Sequence, residues 1–199
     1  MRLVVASGNR GKLAEFDRLL GPLGFECVPQ SALGIADVDE TGATFVENAL
    51  LKARHAARLS GLPALADDSG LCVDALDGAP GLFSARYAGP DAGAEANIAK
   101  LLDALRDRPD AERSAHFHAT VVLLRHADDP RPVIAEGSWH GRILPAPRGR
   151  AGFGYDPVFL DPTRGLSAAE LDPDTKARIS HRGRAVEALA SRLAKGAMP

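Results

Sequence analysis

Phe117-His118-Ala119-Thr120-Val121-Val122-Leu123-Leu124, followed by Val133 to Ile143, decides the fold class. Both runs are rich in residues that suit a pleated, buried surface. No helical pattern separates them, so they predict an antiparallel hairpin or meander rather than a parallel crossover. Gly137 and Gly141 interrupt the second run, which reads as a broken strand region.

Toward the N-terminus the pattern changes. Leu3 to Ala6 reads as a buried strand, and Ser7 to Gly11 as a glycine-containing turn. From Lys12, the residues Leu13, Phe16, Leu19 and Leu20 form one apolar helical stripe, stopped by Gly21-Pro22 and Gly24. An acid-rich loop with Asp37, Asp39 and Glu40 follows. Thr44 and Glu47 then form a capping box. The helix it opens buries Val46, Ala49, Leu50, Ala53 and Ala57, with Asn48 and Lys52 four apart on another side, and Gly61-Leu62-Pro63 ends it. Ala64 to Ala66 is a short strand running into Asp67-Asp68-Ser69-Gly70, and Ala94 to Leu105 is a helix.

Toward the C-terminus, Gly149 to Asp156 is a glycine-rich loop and Val158 to Leu160 a short strand. Ser167 and Glu170 give a second capping-box pattern. Pro173 opens a polar segment through Ser180-His181-Arg182-Gly183, and a last helix carries Val186, Leu189, Ala190 and Leu193. Gly196 to Pro199 reads as a frayed tail. The sum is a mixed α/β chain. A plain Rossmann fold is disfavoured, because the first loop lacks GxGxxG and the middle third is strand after strand.

The 199 residues suffice for one substantial core, or for two lobes sharing a cleft. With 24 basic and 26 acidic residues the formal net charge is -2, which gives no global pull toward nucleic acid or an anionic membrane. No apolar run approaches the length of a membrane span. The opening Met-Arg-Leu-Val-Val-Ala is too short, and too soon followed by polar residues, for a secretory signal, so a cytoplasmic location is expected. Cys27 and Cys72 lack metal-type spacing and read as buried, reduced thiols. His116 and His118 alternate on a strand, but no further histidine or cysteine has zinc-ligand spacing.

Four clusters can carry chemistry. Ser7-Gly8-Asn9-Arg10-Gly11-Lys12 joins a strand to a helix, where backbone amides attract anions and Lys12 adds a charge. It is shorter than a P-loop, and Leu13 stands where a magnesium-binding hydroxyl would be; an ordinary turn with a solvated lysine reads as well. Glu40 and Asp68, brought together, would suit Mg²⁺, a hard cation that shares oxygen ligands with phosphates; Asp67-Asp68-Ser69-Gly70 alone is also a common turn composition. Gly152-Phe153-Gly154-Tyr155-Asp156-Pro157 can offer Phe153 or Tyr155 for base stacking, or can be a structural turn with core aromatics. Lys176, His181 and Arg182 carry donors for base oxo groups or phosphates, or make a surface basic patch.

In their order and spacing these stretches resemble the non-canonical purine nucleoside triphosphate pyrophosphatase family, also called inosine or xanthosine triphosphate pyrophosphatases. The likeness extends over essentially the whole chain, adding Glu40-Thr41-Gly42, Thr44-Phe45, Glu47-Asn48-Ala49, Lys52-Ala53, Gly78-Ala79-Pro80-Gly81, Ser84-Ala85-Arg86-Tyr87 and Ser180-His181-Arg182-Gly183. The resemblance implies one catalytic domain over 1–199, an elongated central sheet with flanking helices, two lobes around a central cleft, and a homodimer. It implies hydrolysis of dITP, ITP and XTP to the monophosphate and pyrophosphate. By the same carry-over, Asn9 and Lys12 contact the triphosphate within the Ser7–Lys12 loop, Glu40 and Asp68 hold Mg²⁺, and Asp68 is base toward the attacking water, with Lys12 and Lys52 beside it. Ser69 contacts substrate. Phe153 stacks on the base, within a pocket of Gly154, Tyr155, Asp156, Lys176, His181 and Arg182. One departure is visible: Gly165-Leu166-Ser167 stands where the family often has Gly-Lys-Thr. A broad-specificity nucleotide pyrophosphatase and a non-catalytic nucleotide-binding module are the competing readings.

Overall fold

The computed structural model describes residues 1–194; the expected frayed tail lies outside the described residues. Its strands are β1 (Arg2–Val5), β2 (Glu26–Pro29), β3 (Ala64–Val73), β4 (Ser114–Leu124), β5 (Val133–Ile143), β6 (Phe159–Asp161) and β7 (Leu166–Ser167). Its helices are α1 (Arg10–Leu20), α2 (Phe45–Ser60), α3 (Ala94–Ala104), α4 (Pro173–Ile179) and α5 (His181–Arg192). Among the described residues the strands form one sheet in the order β2-β1-β3-β4-β5-β6-β7. β1 runs parallel to β2 and β3, whereas β6 is antiparallel to β5 and β7, so the sheet is mixed.

The chain divides into two compact units. The first comprises Met1–Asp68, Ala119–Gly137 and the segment beginning at His181; the second comprises Ser69–His118 and Ser138–Ser180.

In the first unit the strand pleat sorts side chains into two layers. Leu3, Val5, Leu65, Val121 and Leu123 pack with Phe16 and Leu20 of α1 and with Val186 and Leu189 of α5. Val4, Ala6, Ala64, Ala66, Val122 and Leu124 pack instead with Ala49, Ala53, Ala56 and Ala57 of α2. Burial on both faces explains why these strands read as unbroken apolar runs. Thr44 caps α2 as the sequence predicts: its hydroxyl accepts from the Glu47 amide at 3.3 Å, while Glu47 Oε2 accepts from the Ala43 amide at 2.8 Å.

In the second unit Leu71, Val73, Ala115, Phe117, Trp139, Ile143 and Phe159 form a core with Ile98 and Leu101 of α3. The Trp139 indole donates to Asp161 at 3.0 Å, and Arg113 donates to the carbonyls of Leu105, Ile143 and Leu144, so the polar groups enclosed with this core are paired.

Local expectations change in four places. β5 is one continuous strand rather than a broken one. A Cβ on Gly137 would lie 2.2 Å from the His181 carbonyl and 2.5 Å from the Ala185 amide, and one on Gly141 would lie 2.3 Å from the Leu160 carbonyl. These glycines admit a neighbouring backbone and do not end the strand. β3 extends through Asp67-Asp68-Ser69-Gly70 to Val73, where a turn was an open reading. Ser167 and Glu170 bond as a capping box would, at 2.7 Å, but no helix follows; the Ser167 hydroxyl is committed to the Arg148 carbonyl. The next helix is α4, inside the expected polar segment, capped by Asp172 with Pro173 at its start. The edge strand β2 had no clear sequence signal, being only Glu-Cys-Val-Pro.

Candidate active site

Asp67 and Asp68 are consecutive on β3, so the pleat sends their side chains to opposite faces. Asp67 joins the α1 and α5 side, and Asp68 the α2 side. Two polar networks of the first unit grow from this alternation.

On the α2 side, Lys52 Nζ donates to Glu40 Oε1 at 2.6 Å and to Asp68 Oδ1 at 2.9 Å. The two carboxylates predicted to work together are thus bridged by one ammonium. Burial alone would lower the Lys52 pKa, but Asp68, Asp67 and Glu40 raise it above the ordinary value, so the ammonium stays charged. Burial pushes the Asp68 pKa up, and Glu40 adds to this against the opposing pull of Lys52. Asn48, a buried residue four before Lys52, donates to Asp68 Oδ2 at 3.2 Å and accepts from the Gly42 amide at 2.8 Å. The Glu40 loop is tied down further by the Ala36 carbonyl, 3.0 Å from His55 Nε2.

On the other side, the Asp67 carboxylate is wholly enclosed. Arg182 Nη2 donates to its Oδ2 at 2.8 Å and Lys12 Nζ lies 3.2 Å from its Oδ1. Arg182 also pairs with Glu15 and lies over the Phe16 ring, 5.5 Å from its centroid. Burial would raise the Asp67 pKa, yet Lys12, Arg182 and Lys52 together hold it far below the usual carboxylate range. Burial lowers the Lys12 pKa, with Asp67 opposing.

The Ser7–Lys12 loop differs from an open anion cradle. Asn9 is the α1 cap, its Oδ1 accepting from the amides of Gly11 at 2.9 Å and Lys12 at 3.2 Å. The Ser7 hydroxyl accepts from the Asn9 amide at 3.2 Å. A Cβ on Gly8 would lie 2.7 Å from the exposed Asp37 carboxylate, so the loop and that side chain are close neighbours. Arg10, the first residue of α1, is exposed.

The second unit holds another cluster. Asp156 Oδ2 accepts from the Phe153 amide at 2.7 Å and from Lys176 Nζ at 2.6 Å, and that ammonium lies 4.8 Å from the Phe153 ring centroid. Gly152, at φ 78, would place a Cβ 2.0 Å from Asp156 Oδ2, and Gly154 also has positive φ, at 60. Both glycines serve a loop wound around the Asp156 carboxylate. Tyr155 is a core residue whose hydroxyl donates to the Ser84 carbonyl at 2.9 Å. Of the two candidate stacking rings, only Phe153 is placed outside the core. Ser69 is half-buried on β3.

The predicted basic group therefore divides. Lys176 belongs with Phe153 and Asp156, while His181 and Arg182 begin α5 in the first unit, buried, with Arg182 on Asp67. None of the three is a solvated patch. Sequence reasoning gave no role to Glu15, took Asp67 only as part of the Asp67-Asp68-Ser69-Gly70 stretch at a strand end, and weighed Asn48 with Lys52 as a pair reaching the Glu40 site or as a solvated helix face. The i, i+3 and i, i+4 spacings of Lys12 with Glu15 and of Asn48 with Lys52 were the available signals. Spacing along one strand also missed His140, whose ring centroid is 5.3 Å from that of His116 on the adjacent strand. Among the described residues no three His, Cys, Asp or Glu side chains are grouped to hold a metal by themselves, and no helix is long and apolar enough to cross a membrane. Cys27 and Cys72 are free and only partly buried.

Known proteins align with this chain from end to end. It is 62% identical over 192 residues to the dITP/XTP pyrophosphatase of Xanthomonas axonopodis pv. citri (strain 306), which spans 96% of each chain. It is 53% identical over 195 residues to the dITP/XTP pyrophosphatase of Escherichia coli O157:H7, covering 98% of this chain and 99% of the other. Among solved structures, a HAM1 protein from Coxiella burnetii superposes with a TM-score of 0.89 at 51% identity, over 98% of this chain and 99% of that one. The nucleoside-triphosphatase / dITP/XTP pyrophosphatase from Mycobacterium abscessus ATCC 19977 / DSM 44196 gives 0.74 at 45% identity, over 95% and 98%. The family model that matches residues 3–192 agrees with both sets, and the chain belongs to the Ham1 family.

Proposed function

We propose that this protein hydrolyses non-canonical purine nucleoside triphosphates, namely dITP, ITP and XTP, to the nucleoside monophosphate and pyrophosphate. The observation that carries this reading is the Glu40–Lys52–Asp68 cluster, in a chain of end-to-end identity to dITP/XTP pyrophosphatases. A non-catalytic binding module has no need of two carboxylates gathered on one ammonium.

The donor set suits a divalent cation. Glu40 and Asp68 present hard oxygen donors around a position where positive charge is already accommodated. These two carboxylates would hold the ion and would leave room for phosphate oxygens and water, which Mg²⁺ commonly shares with protein carboxylates. When bound there, such an ion offsets charge on the transferring phosphoryl group and the departing pyrophosphate. Asp68 accepts the proton of the attacking water as its oxygen bonds to the α-phosphorus and the α–β anhydride bond breaks. A carboxyl pushed up by burial is a stronger base than an exposed one. Lys52 and Lys12 offset the growing negative charge. Asn9 reaches the triphosphate through its Nδ2, since its Oδ1 is engaged in capping α1. Ser7, Gly8, Arg10 and Gly11 frame that end of the substrate, and Ser69 follows Asp68 on the strand.

Phe153, held by Asp156 and Lys176, is the base platform, and Gly154 shapes the same loop. Donors directed at a 6-oxo group would be left unpaired opposite the amino group of adenine, which supplies the discrimination. His181 and Arg182 supply further donors for the substrate, with Arg182 anchored on Asp67. The working form is a homodimer in the cytoplasm, housekeeping the nucleotide pool, with no nucleic-acid or membrane partner.

The test is initial-rate pyrophosphate release with Mg²⁺ from dITP, ITP and XTP against dATP, dGTP, dCTP and dTTP. Strong preference for the first three is expected. Equal turnover of all seven would remove the base selectivity, and none from any would remove the activity.

A further inference from the structure

We infer that Asn48 is a positioning residue for the reaction: its carboxamide fixes the rotation of the Asp68 carboxylate and ties the Glu40 loop to it. This inference rests on the reading of Asp68 as the base. The two Asp68 oxygens have different partners. Oδ1 faces the Lys52 ammonium at 2.9 Å, whereas Oδ2 receives the Asn48 Nδ2 at 3.2 Å. A lysine ammonium is a point charge on a flexible stem and sets no orientation by itself. The planar amide of Asn48 does, because its other end is held: Oδ1 accepts the Gly42 amide at 2.8 Å. That bond orients the group so that the donor, and not the acceptor, meets Asp68.

Packing fixes the arrangement. Asn48 is 1% exposed and lies on the first turn of α2, which is anchored by the Thr44 cap. A Cβ on Gly42 would fall 2.6 Å from Glu47 Cβ and 2.8 Å from Asn48 Oδ1, so the loop can approach the amide only as glycine. Glu40 is two residues before Gly42, so the same amide tethers the loop that carries Glu40 to the Asp68 carboxylate. Outer groups that orient ligating or reacting carboxylates change affinity or activity 10–100-fold when removed.

Two substitutions separate this role from simple loop anchoring. Asn48→Ala removes both bonds. Asn48→Asp keeps an acceptor for the Gly42 amide but turns a second carboxylate toward Asp68. For the wild type and both variants, kcat and KM for dITP are measured with Mg²⁺, together with thermal midpoints and the Mg²⁺ concentration for half-maximal rate. Tryptophan-fluorescence titration with dITP in EDTA gives binding without turnover.

Asn48→Ala is expected to lose about 10–100-fold in kcat, with KM and metal-free dITP binding within about threefold of wild type. The half-maximal Mg²⁺ concentration should rise. Asn48→Asp is expected to be slower still, although its loop tether remains. An Asn48→Ala kcat within threefold of wild type would overturn the inference, as would Asn48→Asp exceeding Asn48→Ala. Parallel loss of dITP binding in Asn48→Ala would reduce Asn48 to a loop anchor and overturn it too. Should Asn48→Asp not fold, the Asn48→Ala measurements decide alone. Wild-type protein without turnover would instead remove the pyrophosphatase reading itself.

Discussion

Two adjacent aspartates on β3 carry opposite electrostatic fates. Asp68, with a pKa raised by burial and by Glu40 against the pull of Lys52, is the proposed base. Asn at this position keeps the volume and removes the base, so Asp68→Asn should lower kcat by at least ~100-fold in the pyrophosphate assay, with the fold intact by circular dichroism. Asp67 is enclosed by Lys12 and Arg182 and acts as their counter-charge. Asp67→Asn leaves two buried cations short of a partner, and should destabilise the protein by about 3–5 kcal/mol in urea unfolding at pH 7. The pH dependence has a definite sign. The folded carboxyl titrates below the unfolded one, so its stabilisation is complete above about pH 4 and shrinks as pH falls toward the folded value. The stability gap between wild type and Asp67→Asn should therefore narrow on acidification from about pH 4 to pH 2. A gap that widened would contradict the pairing.

Elements here are held at close range by small residues. α2 meets the sheet through Ala49, Ala53, Ala56 and Ala57, which brings its polar edge of Asn48 and Lys52 onto Asp68. α5 begins against Gly137, where an added methyl would meet the His181 carbonyl and the Ala185 amide. Both atoms are backbone and cannot rotate away. Gly137→Ala should cost about 1–3 kcal/mol, measured as a lowered midpoint in chemical denaturation. Because the displaced atoms belong to the turn that carries His181 and Arg182, the same variant should also lose activity, unlike a distant variant of matched stability.

For the molecule as a whole, the Glu40–Lys52–Asp68 arrangement predicts a fold that does not depend on a divalent ion. Lys52 already bridges the two carboxylates and offsets part of their charge. Chelation with EDTA should abolish pyrophosphate release while leaving the circular dichroism spectrum and thermal midpoint nearly unchanged; restored Mg²⁺ should restore the rate. Unfolding on chelation would show a structural metal instead. The hydrophobic layers were largely legible beforehand, because strands buried on both faces and amphipathic helices announce themselves by period. The two-residue β7 and the Glu-Cys-Val-Pro edge strand were not, being too short to carry a period.

The sequence by itself determined the mixed α/β class, the Thr44 cap and the apolar stripes. Local physics suffices for caps and stripes, since each is a short-range pattern. Only the tertiary structure decided that β3 runs on through both aspartates, since the same residues suit a turn. It also decided that Gly137 and Gly141 admit a neighbour rather than break a strand, and that Asn9 caps its own helix. The partition of Lys176 from Arg182 was likewise beyond the sequence, because residues only six apart in the chain take partners 20 and 115 positions away. Such pairings follow from where a folded surface presents a carboxylate, which no local pattern encodes.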